Sequence, residues 1–480
     1  MIDLIIRAGT VITVDATHRV IADGAIAVDD GRIIAVGSAV EVADAHRARE
    51  TIAMPRGVAL PGLVDSHGHA GHSLVRTMAD DLDSWMTACE SLYLHGATPE
   101  FWRAEARLTA AEKLMAGTTT SLSMLGGAGD TIRVDDPAHA NAHLSGYVDV
   151  GLRSIVAVGP GAPPFPKATT AHRGGVAADV ATTFDEQMAV VKDLVREWAN
   201  HPTASIALTY PTMSIADVDA SLDLDALLAG AAEIRALSDS AEILIVQDGH
   251  RADTVEASSR LGLLGPRSVL SHAIDLSDWH VQVIAAAGAA VAHNPSAIYS
   301  QFGRCPVPEL IEAGVTVGLG SDATAPDRSA DMFRHMFQLT RYHRADRRDP
   351  SLFPPGTTLG IATIESARAL GMADLIGSIE VGKSADVILL DVDKPHLTPF
   401  SHPVHQIVYF ATGADVDTVI VGGDVLMRNR VVTSVDVAEV LDEARTQQQL
   451  AFERIGMSQP ADRIGLWDAV RYPDGPTISL

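Results

Sequence analysis

Short apolar runs alternate with longer amphipathic stretches through the middle of the chain. Apolar runs of about four to eight residues that are separated by helical patterns are typical of βα units with a parallel sheet. The runs are LPGLVDSHGH, AGTTTSLSM (116–124), GLRSIVAVG (151–159), SIALTYP (205–211), EILIVQDGH (242–250), RSVLSHA (267–273), AAVAHNP (289–295) and VTVGLGSDAT (315–324). These eight runs predict an α/β fold, a (β/α)8 TIM barrel.

Both ends of the chain alternate apolar and polar residues instead, which is typical of antiparallel strands. Tight turns are predicted at Asp29-Asp30-Gly31 and at Gly422-Gly423. We therefore expect the chain to leave a small sheet domain, build the barrel and return. The predicted division is a β-sandwich domain of residues 1–56 and 375–435, a barrel of 57–374, and a C-terminal helix and tail of 436–480.

Composition narrows the class of protein. At 480 residues the chain can form a barrel of roughly 250 residues or more and a smaller domain. It has no charge-free apolar run of about 18 residues, so we expect no membrane span. The first apolar run contains Asp3 and Arg7 and is not expected to be a signal peptide. Two cysteines, Cys89 and Cys305, offer no disulfide framework, and we expect a cytoplasmic protein.

The net charge of the chain restricts the classes of binding partner. The chain has 36 Lys and Arg against 61 Asp and Glu, and 36 − 61 gives a formal charge of −25. An acidic balance of this size disfavours nucleic acid and anionic membranes as partners. We expect a small-molecule substrate and a homo-oligomer.

The stretch VALPGLVDSHGH (58–69) predicts a metal site. In an extended segment residues i and i+2 project from the same face, so His67 and His69 can bind one ion. Gly68 between them lets the backbone turn tightly. Two ordinary histidines at a strand end are the alternative. Further chemically active side chains follow the predicted strands, where a barrel places its active site: Tyr210, Gln247, His250, His272, His293 and Asp322.

Several stretches together resemble one family. They are LPGLVDSHGH, SVLSHA, VAHNPSA, AGVTVGLGSDAT, GSIEVGKSADVILLDVDKPHLTP and DVDTVIVGGDVLMRN. In this order they resemble the amidohydrolase superfamily, in the branch of triazine hydrolases, cytosine deaminase-like enzymes and adenosine-analogue or guanine deaminases. A phenylurea or thiocarbamate hydrolase-like subgroup is a further candidate. The resemblance implies a barrel with a flanking β-sandwich.

The resemblance also implies one divalent metal ion at the barrel mouth, zinc first, with iron, manganese or cobalt as alternatives. By match, His67 and His69 are ligands from the first strand, and Asp322 is the ligand and base from the last. His272 matches a histidine that binds the metal or stands next to it. Such an ion lowers the pKa of bound water from about 15.7 toward about 7, and a neighbouring carboxylate can take the remaining proton.

The fifth strand departs from the family pattern, which ends His-x-x-Glu. Here Gln247 occupies the ligand position and His250 the glutamate position. Three interpretations stay open: Gln247 ligates the metal, His250 reaches it or acts as an acid/base, or Asp248 reaches in after a register slip. No lysine lies at a predicted strand end, so a bridged pair of metals is not expected.

These departures shape the predicted function. Without the glutamate a deaminase lacks its usual proton donor, so we favour a metal-activated hydroxide that hydrolyses an amide, carbamate or urea-type C–N bond. The alternatives are a deaminase or dechlorinase acting on a heteroaromatic ring and, last, a non-catalytic metal-binding barrel. The predicted catalytic residues are Asp322, His250 and His272, the predicted metal ligands His67, His69, Gln247, His272 and Asp322, and the predicted substrate contacts His72, Tyr210 and His293.

The substrate itself is not predicted. The loops after the second and third strands, 125–145 and 160–182, carry no recognisable pocket chemistry. Two roles stay open for Tyr210: it packs in the core, or it donates a hydrogen bond to a substrate carbonyl. For His72 and His293 the alternative to substrate contact is a purely structural role.

Overall fold

A computed structural model describes residues 1–76, 78, 82–126, 131–221, 223–297, 303–325 and 328–457. Within these ranges the chain forms two separate sheets of eight strands each and one short hairpin. No helix in the ranges is long and apolar enough to cross a membrane.

Eight parallel strands form the barrel and confirm the predicted fold class. In chain order they are β5 (Leu63–Asp65), β6 (Thr118–Met124), β7 (Arg153–Val158), β10 (Ala204–Leu208), β11 (Ile245–Gln247), β12 (Ser268–Ser271), β13 (Ala290–His293) and β14 (Val317–Leu319). We call the junction of β5 with β14 the barrel seam. Backbone hydrogen bonds from Ser66 N to Leu319 O and from Asp322 N to His67 O, both 2.9 Å, join its two sides.

Side chains alternate between the barrel interior and the surrounding helix layer, as the twofold period of a strand requires. The interior core includes Val64, Leu122, Met124, Ile155, Ala157, Ala207, Val246, Val269, Ala290 and Ala292. Their neighbours in sequence, such as Leu270 and Val291, pack outward in a different core. Within a strand, the parity of a residue therefore decides whether its side chain can reach the barrel axis.

The helices of the barrel begin at well-defined caps. Thr98 accepts a hydrogen bond from Phe101 N at the start of one helix, and Thr183 and Glu186 form a capping box at another. The helices are α2 (Leu82–His95), α3 (Pro99–Met115), α4 (Pro137–Val150), α5 (Phe184–Trp198), α6 (Ile215–Asp219), α7 (Leu224–Ala241), α8 (Ala252–Arg260), α9 (Asp278–Ala287), α10 (Val307–Glu312), α11 (Met332–Arg347), α12 (Pro355–Gly360) and α13 (Ser366–Ala369). One π-helical turn, Ile361–Glu365, joins the last two.

The segment interpreted as a loop at 160–182 contains an antiparallel hairpin. Its strands are β8 (Lys167–Arg173) and β9 (Val176–Thr182), which pair with Lys167 opposite Thr182. The hairpin lies beside α2, where His172 Nε2 is 2.6 Å from His95 O. It is therefore an insertion between the third strand and its helix.

Both chain termini contribute to the second sheet, as predicted. Its strands are β1 (Ile2–Ile12), β2 (Val20–Asp29), β3 (Arg32–Ser38), β4 (Ala48–Pro61), β15 (Val387–Leu390), β16 (Val416–Val421), β17 (Asp424–Arg428) and β18 (Val431–Val432), in the spatial order β18-β17-β16-β15-β4-β1-β2-β3. The helices here are α1 (Ala39–Ala45) and α14 (Pro403–Phe410). Helix α15 (Val437–Arg454) then packs along α3, where Glu443 meets Arg103 and Arg107. The predicted tail beyond 457 lies outside the described residues.

Candidate metal centre

Three imidazoles and two carboxylates converge at the C-terminal end of the barrel. His67 Nε2 lies 3.2 Å from Asp248 Oδ1 and 3.5 Å from Asp322 Oδ1. His69 Nε2 lies 3.3 Å from Asp248 Oδ2 and 3.2 Å from Asp322 Oδ1. His272 Nε2 lies 3.1 Å from Asp248 Oδ1 and 3.7 Å from Asp322 Oδ1. We call these five residues the ligand cluster.

The backbone aims these side chains by special conformations at the strand ends. Gly68 bridges to Asp322, just beyond the end of the last strand, and His69 bridges to Met124 in the second strand. His272 and Asp322 both have positive φ, 64° and 60°, a region that non-glycine residues rarely adopt. Conformations of this kind cost about 1–3 kcal/mol each and cluster at functional sites. Two of the predicted ligands are therefore held in strained positions.

The electrostatics of the ligand cluster call for a positive charge between the carboxylates. Burial alone would raise the pKa of Asp322, but Arg328 and His272 hold that pKa well below its usual value. Burial likewise opposes ionisation of Asp248, whose pKa His69 and His272 hold well below normal. Burial lowers the pKa of His69, yet the two carboxylates raise it to about 10. A proton or a metal cation can supply the charge that these carboxylates favour.

The residues fit a divalent cation. Both ring nitrogens of His67 and Nδ1 of His272 are buried without a hydrogen-bond partner among the described residues. His69 Nδ1 lies 3.1 Å from Gly126 O, so a proton on Nδ1 leaves Nε2 free to ligate. One atom from each of His67, Asp248, His272 and Asp322 lies within 4.8 Å of the others. Imidazole and carboxylate donors suit Zn²⁺ and also Fe²⁺, Mn²⁺ or Co²⁺.

Arg328 joins the ligand cluster from the loop after the last strand. Its guanidinium contacts Asp322 Oδ2, and both side chains are almost fully buried. The sequence offers no signal for it, because Arg328 lies outside any strand end. Asp322 Oδ1 thus faces the imidazoles, while Oδ2 faces a permanent cation.

The fifth strand differs from the sequence-based ligand assignment. Val246 points into the barrel, so Gln247 points outward, and its Nε2 donates to Tyr210 O at 3.1 Å. Ser258 Oγ donates to Gln247 Oε1 at 3.3 Å, so both the nitrogen and the oxygen of the Gln247 side-chain amide have hydrogen-bond partners. Gln247 therefore lies away from the ligand cluster, and Asp248 takes the position predicted for it. Ser271 Oγ donates to Asp248 Oδ1 and orients that carboxylate.

His250 lies near the ligand cluster without joining it. Its Nδ1 is 3.2 Å from Thr254 Oγ1, and its buried Nε2 has no hydrogen-bond partner in the described structure. Burial lowers the pKa of His250 to about 3, against a partly compensating effect of Asp248. The imidazole is therefore neutral near pH 7. It can form a hydrogen bond, but it carries no positive charge.

The three predicted substrate contacts have different surroundings. His72 packs against the rings of His69 and Trp85, each at 4.8 Å between centroids, and lies directly beside the ligand cluster. His293 points outward, with Nε2 3.3 Å from His343 Nε2 in the helix layer. That orientation supports the structural alternative for His293.

Tyr210 lines a cavity of about 670 Å³ at the ends of the third and fourth strands. Its hydroxyl donates to Leu227 O at 3.0 Å, so the phenol ring rather than the hydroxyl faces the cavity. The same cavity is bordered by Phe165 and Phe184, whose rings meet edge to face. Substrate contact by Tyr210 would thus be apolar.

A barrel whose strand ends gather imidazoles and carboxylates in this way is the architecture of a metal-dependent enzyme. Residues 58–426 match the model of the Amidohydrolase family. The chain belongs to the amidohydrolase family. It is a hydrolase that acts on carbon–nitrogen bonds other than peptide bonds, in a small molecule.

Similar proteins support this assignment over nearly the whole length. The chain is 32% identical over 459 residues to a 5-methylthioadenosine/S-adenosylhomocysteine deaminase of Nitratidesulfovibrio vulgaris (strain DP4), covering 94% of this chain and 98% of the relative. It is 30% identical over 462 residues to a 5'-deoxyadenosine deaminase of Methanosarcina mazei, covering 95% and 100%.

Solved structures show the same fold. An adenosine deaminase from Xanthomonas campestris with bound zinc superposes with a TM-score of 0.81 at 26% identity, covering 94% of this chain and 99% of that one. The atrazine chlorohydrolase TrzN from Arthrobacter aurescens TC1, complexed with zinc, gives 0.76 at 23% identity, covering 93% and 100%. At that identity the second likeness concerns the fold alone.

Proposed function

We propose that this protein hydrolyses an amide, carbamate or urea-type C–N bond of a small molecule, with one divalent cation held by the ligand cluster. The observation that carries this choice is the end of the fifth strand. In the family pattern that the sequence resembles, a proton-donating glutamate is expected at the position of His250, which here is a buried imidazole that is neutral near pH 7. A carbonyl substrate needs no protonated ring nitrogen, so this change leaves its hydrolysis intact.

The proposed ligands are His67, His69, His272, Asp248 and Asp322. When bound, the cation lowers the pKa of a coordinated water and polarises the carbonyl of the substrate. Zinc is the first candidate because imidazole and carboxylate donors suit it, with iron, manganese and cobalt next.

Asp322 is the proposed proton carrier. Its Oδ1 faces the three imidazoles and its Oδ2 contacts Arg328, so the carboxylate is fixed and ionised before the reaction. In this position it accepts a proton from the attacking water and then donates it to the leaving amine. His250 is uncharged and offers a hydrogen bond from its Nε2, which has no partner among the described residues.

Deamination of an adenosine-like substrate is the second candidate, and the curated relatives favour it. Those relatives are named as deaminases of 5-methylthioadenosine, S-adenosylhomocysteine and 5'-deoxyadenosine. For this chain the reaction would require His250 to donate a hydrogen bond to the ring nitrogen in place of a carboxylic acid.

Product analysis separates the two candidates. We expect zinc-loaded protein to release aryl amine from N-aryl amides, carbamates or phenylureas, and no ammonia from adenosine, 5'-deoxyadenosine or 5-methylthioadenosine. An Asp322→Asn variant should lose about 100-fold or more of the activity, because general acid–base groups contribute about 10²–10⁴-fold. Ammonia from the nucleosides without aryl amine from the panel would contradict the first proposal and support the second.

Two broader expectations also stay proposals. The two cysteines, Cys89 and Cys305, are free and buried, which suits a reducing cytoplasm. A homo-oligomer is proposed, and sedimentation of the purified protein would test it.

A further inference from the structure

The barrel seam carries a buried ion pair that the proposed reaction does not use. Asp65 Oδ2 lies 2.7 Å from Lys113 Nζ, and the two side chains are 0% and 2% exposed. Lys113 also donates to Ser121 Oγ in the second strand at 2.7 Å. We call Asp65 and Lys113 the seam pair.

Asp65 binds both sides of the barrel seam through one carboxylate. Its Oδ1 accepts from Ser321 N at 2.8 Å and from His67 N at 3.4 Å. Its Oδ2 accepts from Ser321 Oγ at 2.6 Å. The acceptor therefore connects the backbone at a first-strand ligand to the residue directly before the last-strand ligand, Asp322.

The barrel seam needs this connection because its backbone pairing is short. Several neighbouring barrel strands pair in longer parallel ladders, for example over five residue pairs from Ala204 with Ser154 to Leu208 with Val158. Across the barrel seam the structure has the hydrogen bonds Ser66 N to Leu319 O and Asp322 N to His67 O, and one isolated bridge from Gly68 to Asp322. The ligand cluster thus spans a sparsely paired junction of the barrel.

Lys113 packs against the turn formed by His67, Gly68 and His69. A Cβ built on Gly68 would lie 3.1 Å from Lys113 Nζ, so the ammonium sits directly under the His-Gly-His turn. Its charge offsets that of Asp65, which is otherwise buried among neutral donors. Loss of the charge would weaken the hold of Asp65 on both sides of the barrel seam.

We propose that Asp65 and Lys113 are positioning residues that set the distance between His67 and Asp322, and thereby the affinity of the ligand cluster for its cation. This proposal rests on the proposed function, since it concerns the same cation site. Groups that orient metal ligands typically change metal affinity by about 10–100-fold when they are lost.

The test is Zn²⁺ affinity of the full chain, measured by competition with a chromophoric chelator. Lys113→Met should raise the Kd for Zn²⁺ by about 10–100-fold. The matched control is Arg153→Met, which breaks the buried pair of Arg153 with Asp386 (3.3 Å) at the opposite end of the barrel. Its Kd should stay within about twofold of the unchanged protein, because distant sites act independently. The visible absorption of bound Co²⁺ should change in Lys113→Met and not in the control.

Three results would count against the proposal. Equal losses of affinity in Lys113→Met and Arg153→Met would show a general effect of a broken core pair. That result would overturn the positioning role of the seam pair but not the cation site. An unchanged Kd would do the same. Absence of Zn²⁺ and Co²⁺ binding by the unchanged protein would overturn the cation site itself. Should Lys113→Met fail to fold, Ser321→Ala removes one hydrogen bond of Asp65 and must still raise the Kd.

Discussion

Asp248 brings a second carboxylate next to Asp322 in a pocket that excludes most water. Two like charges at this distance repel each other, and burial adds a desolvation cost to each. The imidazoles and Arg328 supply opposite charge or hydrogen bonds around them. At the scale of single residues, the arrangement is therefore stable only as a set, which is typical of a ligand cluster built for a cation.

A pair of neighbouring substitutions tests which fifth-strand residue belongs to that set. Asp248→Asn should remove most of the bound zinc and the hydrolytic activity, because one anionic donor is lost. Gln247→Ala should keep the zinc but unfold more easily, by about 1–3 kcal/mol, since Tyr210 O loses its buried donor. Zinc per chain from elemental analysis and urea unfolding measure the two effects. Zinc loss confined to Gln247→Ala would restore the ligand assignment from the sequence.

At the scale of elements, the ends of the barrel strands pack so closely that some positions admit no side chain. Gly159 directly follows β7, and a Cβ there would lie 2.0 Å from Thr209 O, just after β10. Thr209 N bonds to Val158 O at 2.9 Å, so the two strand ends cannot separate without losing that bond. The approach also fixes where Tyr210, the next residue, enters its cavity.

We expect Gly159→Ala to destabilise the fold by about 1–3 kcal/mol through overpacking against backbone. The matched control is Gly360→Ala in helix α12, where a Cβ meets nothing within 4 Å. That change should be neutral or stabilise by about 0.5–1 kcal/mol, because glycine lowers helix stability. Thermal and urea unfolding of both variants give the comparison. Equal stability of the two variants would mean that β7 and β10 are not as close as described.

The strand pattern was sufficient to predict the eight barrel strands and the terminal sheet, because apolar runs and helical stretches differ in period. Parity along 245–248 selects Asp248 only once Val246 is known to face inward, which the structure shows, because residues two apart share a face. The turn from β12 to His272 could not be predicted this way, because a positive φ breaks the alternation. The β8–β9 hairpin lacked a signal, since most of β9 is exposed and carries no apolar face.

At the scale of the whole molecule, buried histidines link stability to pH. Burial lowers the pKa of His139, His143 and His250 to about 3, against 6.5 as the ordinary value. As the pH falls below 6.5, these histidines therefore take up protons in the unfolded chain but stay neutral in the folded chain. The stabilisation that these neutral histidines contribute to the folded state is complete above about pH 6.5 and is lost progressively toward pH 3. Each such histidine contributes a slope of about 1.4 kcal/mol per pH unit within that window.

We expect the free energy of unfolding to fall steeply between pH 6 and 5, a range above the titration of ordinary carboxylates. His143→Asn should reduce that slope by up to about 1.4 kcal/mol per pH unit, because one proton fewer is taken up on unfolding. The variant will also be less stable at pH 7, since Ser123 Oγ loses its 3.0 Å partner, so the slope is the diagnostic quantity. Urea unfolding at closely spaced pH values measures it, and parallel curves for the unchanged protein and His143→Asn would show that His143 is protonated in the folded state.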